Sequence, residues 1–265
     1  MEAIPIAKTK RLKTVTAGRL VIGVCYTPPI ISDDTRARAE KKKCSSFARQ
    51  KMNFRTAWQK LRLLLCCNFG RGDLYITCGY DDDHLPPNRK TAKKHMQKFM
   101  DQLRIARRKA GEDLKYIYVT EELQEDGTRR YHHHLIINSS TEKKDFELIR
   151  SLWKYGTNIE LVQLGKNQLY SDDFLELSQY LCKERNPEQP FTTVGDKCWV
   201  PSRNLEKPIE HSELVDDNMT IVAPPNARIL DTDHKQTEFG SMYDYIVYWL
   251  PERAATKPSK RRKKE

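Results

Sequence analysis

The sequence predicts an α+β fold, an antiparallel sheet of split β-α-β type, and three observations lead there. Short runs rich in β-branched and aromatic residues alternate with amphipathic stretches between residues 73 and 184. Two of these runs are joined by a polar segment centred on Asp126–Gly127, the composition of a tight hairpin turn. The stretches before and after that pair carry apolar residues at three- and four-residue steps, the period of a half-buried helix.

Element by element, RLVIGVCYT (Arg19 to Thr27) reads as a strand ended by Pro28 and Pro29. A charged segment follows from Asp33 to about Arg62. In its later part Phe54, Ala57, Trp58, Leu61 and Leu65 mark an amphipathic helix. LYITCGY (74–80) is a strand and DDDHLPPN (81–88) a loop. Residues 89–110 form a helix with Met96, Phe99, Met100, Leu103 and Ala106 on one face. YIYVTEEL (116–123) and YHHHLIIN (131–138) are the hairpin strands. Phe146, Ile149, Leu152 and Trp153 mark a helix with Gly156 as its expected C-cap. NIELVQL (158–164) is a strand, and a last helix runs from about Asp172 to Glu184. The order strand–helix–strand–strand–helix–strand–helix is ferredoxin-like with one added helix. The expectation is an antiparallel sheet with helices on one face, an N-terminal helical extension and a C-terminal β-containing extension. Further on, TIVAP (220–224) and YDYIVYW (243–249) look strand-like, and KPSKRRKKE is a basic tail. The expected divisions are 1–70 for the N-terminal extension, 71–185 for a catalytic domain, 186–255 for the C-terminal extension and 256–265 for the tail.

Composition narrows the class. With 31% charged and 38% hydrophobic residues in 265, the chain suits a modest core under a large polar surface. No run approaches the length of a membrane span, and MEAIPIAKTKRLKTVTAG has no continuous apolar stretch of the secretory kind, so the expectation is a cytoplasmic protein with no membrane partner. A net charge of +11 favours a polyanionic partner, of which nucleic acid is the commonest in a cell. The seven cysteines include no C-x-x-C pair, which argues against a zinc ribbon and fits reduced thiols.

Chemistry concentrates at the hairpin. Side chains alternate along a strand, so His132 and His134 share one face while His133, Leu135 and Ile137 share the other. Two imidazoles one pleat apart can share a divalent cation, and a neighbouring carboxylate would complete a hard, charged site. If Ile117 and Val119 face the core, Tyr118, Thr120 and Glu122 face away, and Glu122 is the third ligand. One bulge in the hairpin would put Glu121 there instead.

In LSQYLCKE (177–184), Tyr180 and Lys183 lie three apart on one helical face. A phenol of pKa about 10 needs a cation nearby to attack phosphorus at neutral pH. A metal polarising the phosphate, or the Lys183 ammonium, would supply it.

These residues resemble the HUH replication initiators, the His-hydrophobic-His nickases of rolling-circle plasmids, phages and small single-stranded DNA viruses. LYITCGYDDDHLP resembles their first motif, YIYVTEELQEDG with HHHLIIN the second, LWKYG the W-x-x-G step, and SQYLCKE the third; SRNLEKP (202–208) is similar to a segment found after the tyrosine in some members. The resemblance implies Mg²⁺ or Mn²⁺ on His132, His134 and Glu122 or Glu121, with Tyr180 as nucleophile and Lys183 as its assistant. It implies nicking and rejoining of single-stranded origin DNA through a 5′-phosphotyrosine, with Tyr170 near enough in sequence to be a second tyrosine. The middle histidine departs from the pattern and leaves open a frame in which His133 is a ligand. No G-x-x-x-x-G-K-[ST] loop occurs, so a host helicase, together with a host polymerase, is the expected partner. Two other readings stand: a relaxase or transposase of the same superfamily, and a non-catalytic RRM-like sheet binding nucleic acid through exposed Tyr75, Tyr116 and Tyr118.

Overall fold

The computed structural model describes residues 10–28, 47–123, 129–141, 144–165, 171–188, 197–236 and 242–252. The Asp126–Gly127 turn, Tyr170, the first part of the Asp33–Arg62 segment and the basic tail lie outside them. In chain order the strands are β1 (Lys10–Ala17), β2 (Leu20–Tyr26), β3 (Leu74–Cys78), β4 (Tyr116–Leu123), β5 (Arg129–Ile137), β6 (Ile159–Gln163), β7 (Val200–Pro201), β8 (Ile209–Val215), β9 (Arg228–Gln236) and β10 (Met242–Trp249). The helices are α1 (Phe47–Asn68), α2 (Arg89–Lys109), α3 (Asp145–Leu152) and α4 (Leu175–Leu181), with 3-10 turns at Asp82–His84 and Lys183–Arg185. The fold is α+β, with two five-stranded antiparallel sheets. The chain divides into two compact units, residues 1–42 with 207–265, and residues 43–206.

The first unit is a sheet of order β8-β1-β2-β10-β9. Gly18 turns β1 into β2 at φ 57, a left-handed value that glycine adopts without strain. The expected strand over 19–27 is β2, and 243–249 lies in β10. The TIVAP segment is not a strand. Its Ile221 instead packs over β2, where a Cβ on Gly23 would lie 3.2 Å from the Ile221 Cγ2.

The second unit carries the predicted core. Its sheet runs β6-β3-β5-β4-β7, so the four strands of the split β-α-β motif take the ferredoxin-like order. Helix α2 starts where Asn88 accepts the Thr91 N–H at 2.9 Å. It buries Met96, Phe99, Met100 and Leu103 with Ile149 and Trp153 on the face of Ile76, Tyr118, Leu135 and Ile137. The other sheet face is also covered. There Leu61 and Leu65 of α1 and Leu177 and Leu181 of α4 pack on Tyr75, Ile117, Val119 and Ile136. A buried pair, Arg62 Nη2 to Asp173 Oδ2 at 2.6 Å, joins α1 to the start of α4.

Two boundaries differ from expectation. Helix α3 ends at Leu152 with Trp153 as its C-cap, not at Gly156. Gly156 serves a close approach: a Cβ there would sit 2.6 Å from the Gly79 carbonyl oxygen and 2.9 Å from the Asp81 nitrogen. The Trp153 indole N–H donates to that same Gly79 carbonyl at 2.9 Å, which pins the W-x-x-G step to the end of β3. The last helix is shorter than predicted. Phe174 enters it at φ 55, and after Leu181 the chain tightens into the 3-10 turn that holds Lys183 and Glu184.

Candidate metal centre

The histidine strand is central in its sheet, between β3 and β4, so its register is set from both sides. Thr77 and Val119 lie opposite His134, and Glu121 lies opposite His132. Opposed residues share a face, so Glu121, His132 and His134 project together, on the side covered by α1 and α4.

Their donor atoms converge. Glu121 Oε2 is 2.8 Å from both His132 Nε2 and His134 Nε2, and the two nitrogens are 3.1 Å apart. Three such donors form the one group among the described residues that could hold a metal ion. The spacing is informative. Bonds of about 2.1 Å to adjacent corners of an octahedron separate the donors by about 3.0 Å, whereas tetrahedral sites separate them by about 3.4 Å. The observed 2.8–3.1 Å fits one octahedral face and leaves other positions for solvent or substrate. A carboxylate with two imidazoles suits a divalent ion of hard to borderline character.

Glu122, the expected partner of the histidines, is not in this group. It points away in the alternation, and its backbone N–H donates to Glu184 Oε1 at 2.6 Å. The expectation assumed that Ile117 and Val119 mark a core face and the histidines the opposite one. Both faces are core here, so Ile117, Val119 and Glu121 sit on the histidine side. His133 faces the other way and is fully buried. Tyr80 Oη lies 2.9 Å from its Nε2 and Thr120 Oγ1 3.1 Å from its Nδ1. Burial holds its pKa well below the ordinary histidine value, with the charges of His132 and His134 adding to the effect. It is a satisfied core histidine.

The electrostatics favour an ionised carboxylate beside a neutral His134 ring. Burial works against ionisation of Glu121, but hydrogen bonds from His132 and His134 outweigh it and hold the carboxyl far below its usual range. Burial lowers the His134 pKa, against the pull of Glu121. Tyr75 Oη lies 2.6 Å from His134 Nδ1. With Nε2 given to a cation, the Nδ1–H donates to that phenol oxygen and fixes the tautomer.

The tyrosine and lysine of α4 and its 3-10 turn reach the same side. The Tyr180 ring stands edge-on to His134, centroids 5.5 Å apart at 69°. Lys183 Nζ lies 3.0 Å from Glu121 Oε1 and 4.0 Å from the centre of the Tyr180 ring. Burial disfavours its charge, but Glu121 more than compensates and raises its pKa, so it is an ammonium. Sequence reasoning did not find Tyr75, Arg89 or Glu184 as parts of this neighbourhood. Arg89 carried one signal, a cation in the first turn of a helix, where the dipole disfavours it.

The acidic loop after β3 stands apart. Asp81 Oδ1 accepts from the Thr157 N–H at 3.1 Å, and Asp82 pairs with Arg130 at 2.7 Å. Among the described residues no helix is long and apolar enough to cross a membrane.

A protein-family model described as a replication-associated protein of ORF2 type matches residues 73–185, which hold all of these side chains but fewer than half of the chain's residues. Neither curated proteins nor solved structures give a match.

Proposed function

We propose that this chain is a rolling-circle replication initiator that nicks and rejoins single-stranded origin DNA through a 5′-phosphotyrosine. One observation carries the reading: a carboxylate, two imidazoles, an ammonium and a tyrosine ring share one side of the sheet, within the segment that resembles replication-associated proteins. Residues 71–185 are the catalytic segment in this reading, and the chain acts inside the cell, with a host helicase and polymerase as partners.

Glu121, His132 and His134 would hold Mg²⁺ or Mn²⁺, and Tyr75 orients His134 from behind. When bound, the cation supplies Lewis-acid polarisation of a scissile-phosphate oxygen. The Lys183 ammonium favours the charge that develops on the phenol oxygen. Tyr180 Oη attacks phosphorus in line, and the P–O3′ bond breaks. The 3′-oxygen departs with the bonding pair and takes a proton, while the phenolic proton passes to solvent. The phosphotyrosine conserves the ester, so a later 3′-hydroxyl reverses the same steps and reseals the strand. The net charge of +11 supplies phosphate attraction that does not depend on sequence.

An RRM-like binding role requires aromatic rings open on the central strands. Tyr75 and Tyr118 are buried, at 7% and 8% exposure, and support it poorly.

The deciding experiment is incubation of the protein with single-stranded origin-like DNA and Mn²⁺, followed by denaturing electrophoresis. The reading expects a covalent protein–DNA band that EDTA abolishes and that Tyr180→Phe lacks. A band that persists in Tyr180→Phe reassigns the nucleophile; no band from wild type under any divalent ion ends the proposal.

A further inference from the structure

Strand β4 is bordered on its outer side by β7, which pairs with it at Ile117 and Tyr118. The Tyr116 carbonyl accepts from the Ser202 N–H at 2.8 Å, and the Tyr116 N–H donates to Ser202 Oγ at 3.0 Å. Main-chain groups of the even-numbered residues of β4 therefore point toward this edge. Further along, the Thr120 carbonyl and the Glu122 N–H face the same way, and among the described residues no strand lies beside them. Buried main-chain groups of this kind must find partners elsewhere.

Arg89 and Glu184 take the place of the missing strand. Arg89 Nη2 donates to the Thr120 carbonyl and, at 2.7 Å, to Glu184 Oε2. Glu184 Oε1 accepts the Glu122 N–H at 2.6 Å. The two groups held in this way flank Glu121, just where a bulge shifts the β4–β5 register between Glu121 and Leu123. Glu184 stands in the 3-10 turn that follows the Tyr180 helix, next to Lys183. Consecutive side chains of that turn thus reach consecutive residues of β4: Lys183 the Glu121 carboxylate, Glu184 the Glu122 main chain. Both members of the pair are largely withdrawn from solvent, at 16% and 11% side-chain exposure, where charge-assisted hydrogen bonds are strong and directional.

We infer that Arg89 and Glu184 form an edge clamp, a pair of positioning residues that sets the Glu121 carboxylate and the Tyr180 helix relative to each other. The inference rests on the nicking site proposed above. It adds that carboxylate and phenol are held by one device, so its loss disturbs metal binding and strand cleavage together.

The test uses the full chain in three measurements: Mn²⁺ affinity from the free-ion paramagnetic resonance signal, the adduct rate at saturating Mn²⁺, and the melting temperature. Glu184→Ala should weaken Mn²⁺ binding roughly 10-fold or more and lower the saturating adduct rate by about 100-fold. Glu184→Gln should fall between, because its amide oxygen still accepts the Glu122 N–H while the charge facing Arg89 is gone. A folded Glu184→Ala variant that keeps both affinity and rate within about twofold of wild type, or that changes in melting temperature alone, overturns the clamp. Should Glu184→Ala fail to fold, Glu184→Gln and Arg89→Lys decide on the same two readings, since each keeps half of the contact. Wild-type protein that binds Mn²⁺ but forms no adduct overturns the nicking reading instead, and the clamp is then judged on Mn²⁺ affinity.

Discussion

Tyr75 Oη lies 2.6 Å from Nδ1 of His134, on the side of the ring opposite the nitrogen that faces Glu121. The phenol is buried, so this contact is made away from water and fixes both the tilt and the tautomer of the imidazole. Tyr75→Phe should keep the fold, because the ring still fills its place. It should cost about 10- to 100-fold in Mn²⁺ affinity. A metal titration of folded Tyr75→Phe that matches wild type would remove Tyr75 from the site.

The two adjacent glutamates should separate cleanly. Glu121→Gln removes the carboxylate that both imidazoles face, and metal-dependent adduct formation should fall by at least about 100-fold. Glu122→Gln leaves its backbone N–H in place and should stay within a few-fold of wild type. Parallel cleavage assays on the pair decide it; the reverse order of losses would return the ligand role to Glu122.

Lys183 touches both the carboxylate and the tyrosine ring, and its removal should split two readings that Glu121→Gln moves together. Lys183→Met takes a competing cation away from Glu121, so Mn²⁺ binding should hold or tighten. The adduct rate should still drop about 10- to 1,000-fold, because the developing phenolate loses its charge partner. Equal losses of metal affinity and rate would contradict this role.

The Arg62–Asp173 pair holds α1 to α4 and is almost fully enclosed. Arg62→Met strands a buried carboxylate and should cost about 3–5 kcal/mol, read as a lower urea midpoint at neutral pH. In the wild type, burial opposes the Asp173 charge, but Ser171 and Arg62 outweigh it and keep its pKa below the usual value. A depressed carboxyl stabilises the fold above its unfolded pKa of about 3.9, and that contribution is lost as pH falls through the folded value. The gap between variant and wild type should therefore narrow in acid. A gap that is unchanged between pH 7 and pH 3 would show that packing, not charge, sets the cost.

Gly156→Ala places a methyl against the backbone of Gly79 and Asp81, neither of which can yield as a side-chain tip would. A loss of about 1–3 kcal/mol is expected from overpacking. Thermal melting measures it, and a neutral result would mean that the loop after α3 relaxes freely.

Much of the second unit was legible because its signals are local. The 3.6-residue period of α2, its Asn88 cap and the alternation of β3, β4 and β5 all act within a dozen residues. The strands of the first unit were harder to read. β8 and β9 are largely exposed and polar, and β1 pairs with β8 across some 200 residues of chain. Their identity comes from partners that a window of sequence does not contain. The expected C-cap at Gly156 failed for a similar reason: the glycine answers to the Gly79 backbone, far away in sequence, not to the helix before it.

By itself the sequence determined which strand carries the histidines, that His132 and His134 share a face, and that Tyr180 and Lys183 stand together. Each of these follows from the period of one element. Tertiary structure alone decided that Glu121 rather than Glu122 joins the histidines, that His133 is walled into the opposite core, and that Arg89 and Glu184 close the edge of β4. The reason is that alternation says which residues share a face but not what covers it. Where helices pack on both faces of a sheet, apolar neighbours no longer tell one side from the other.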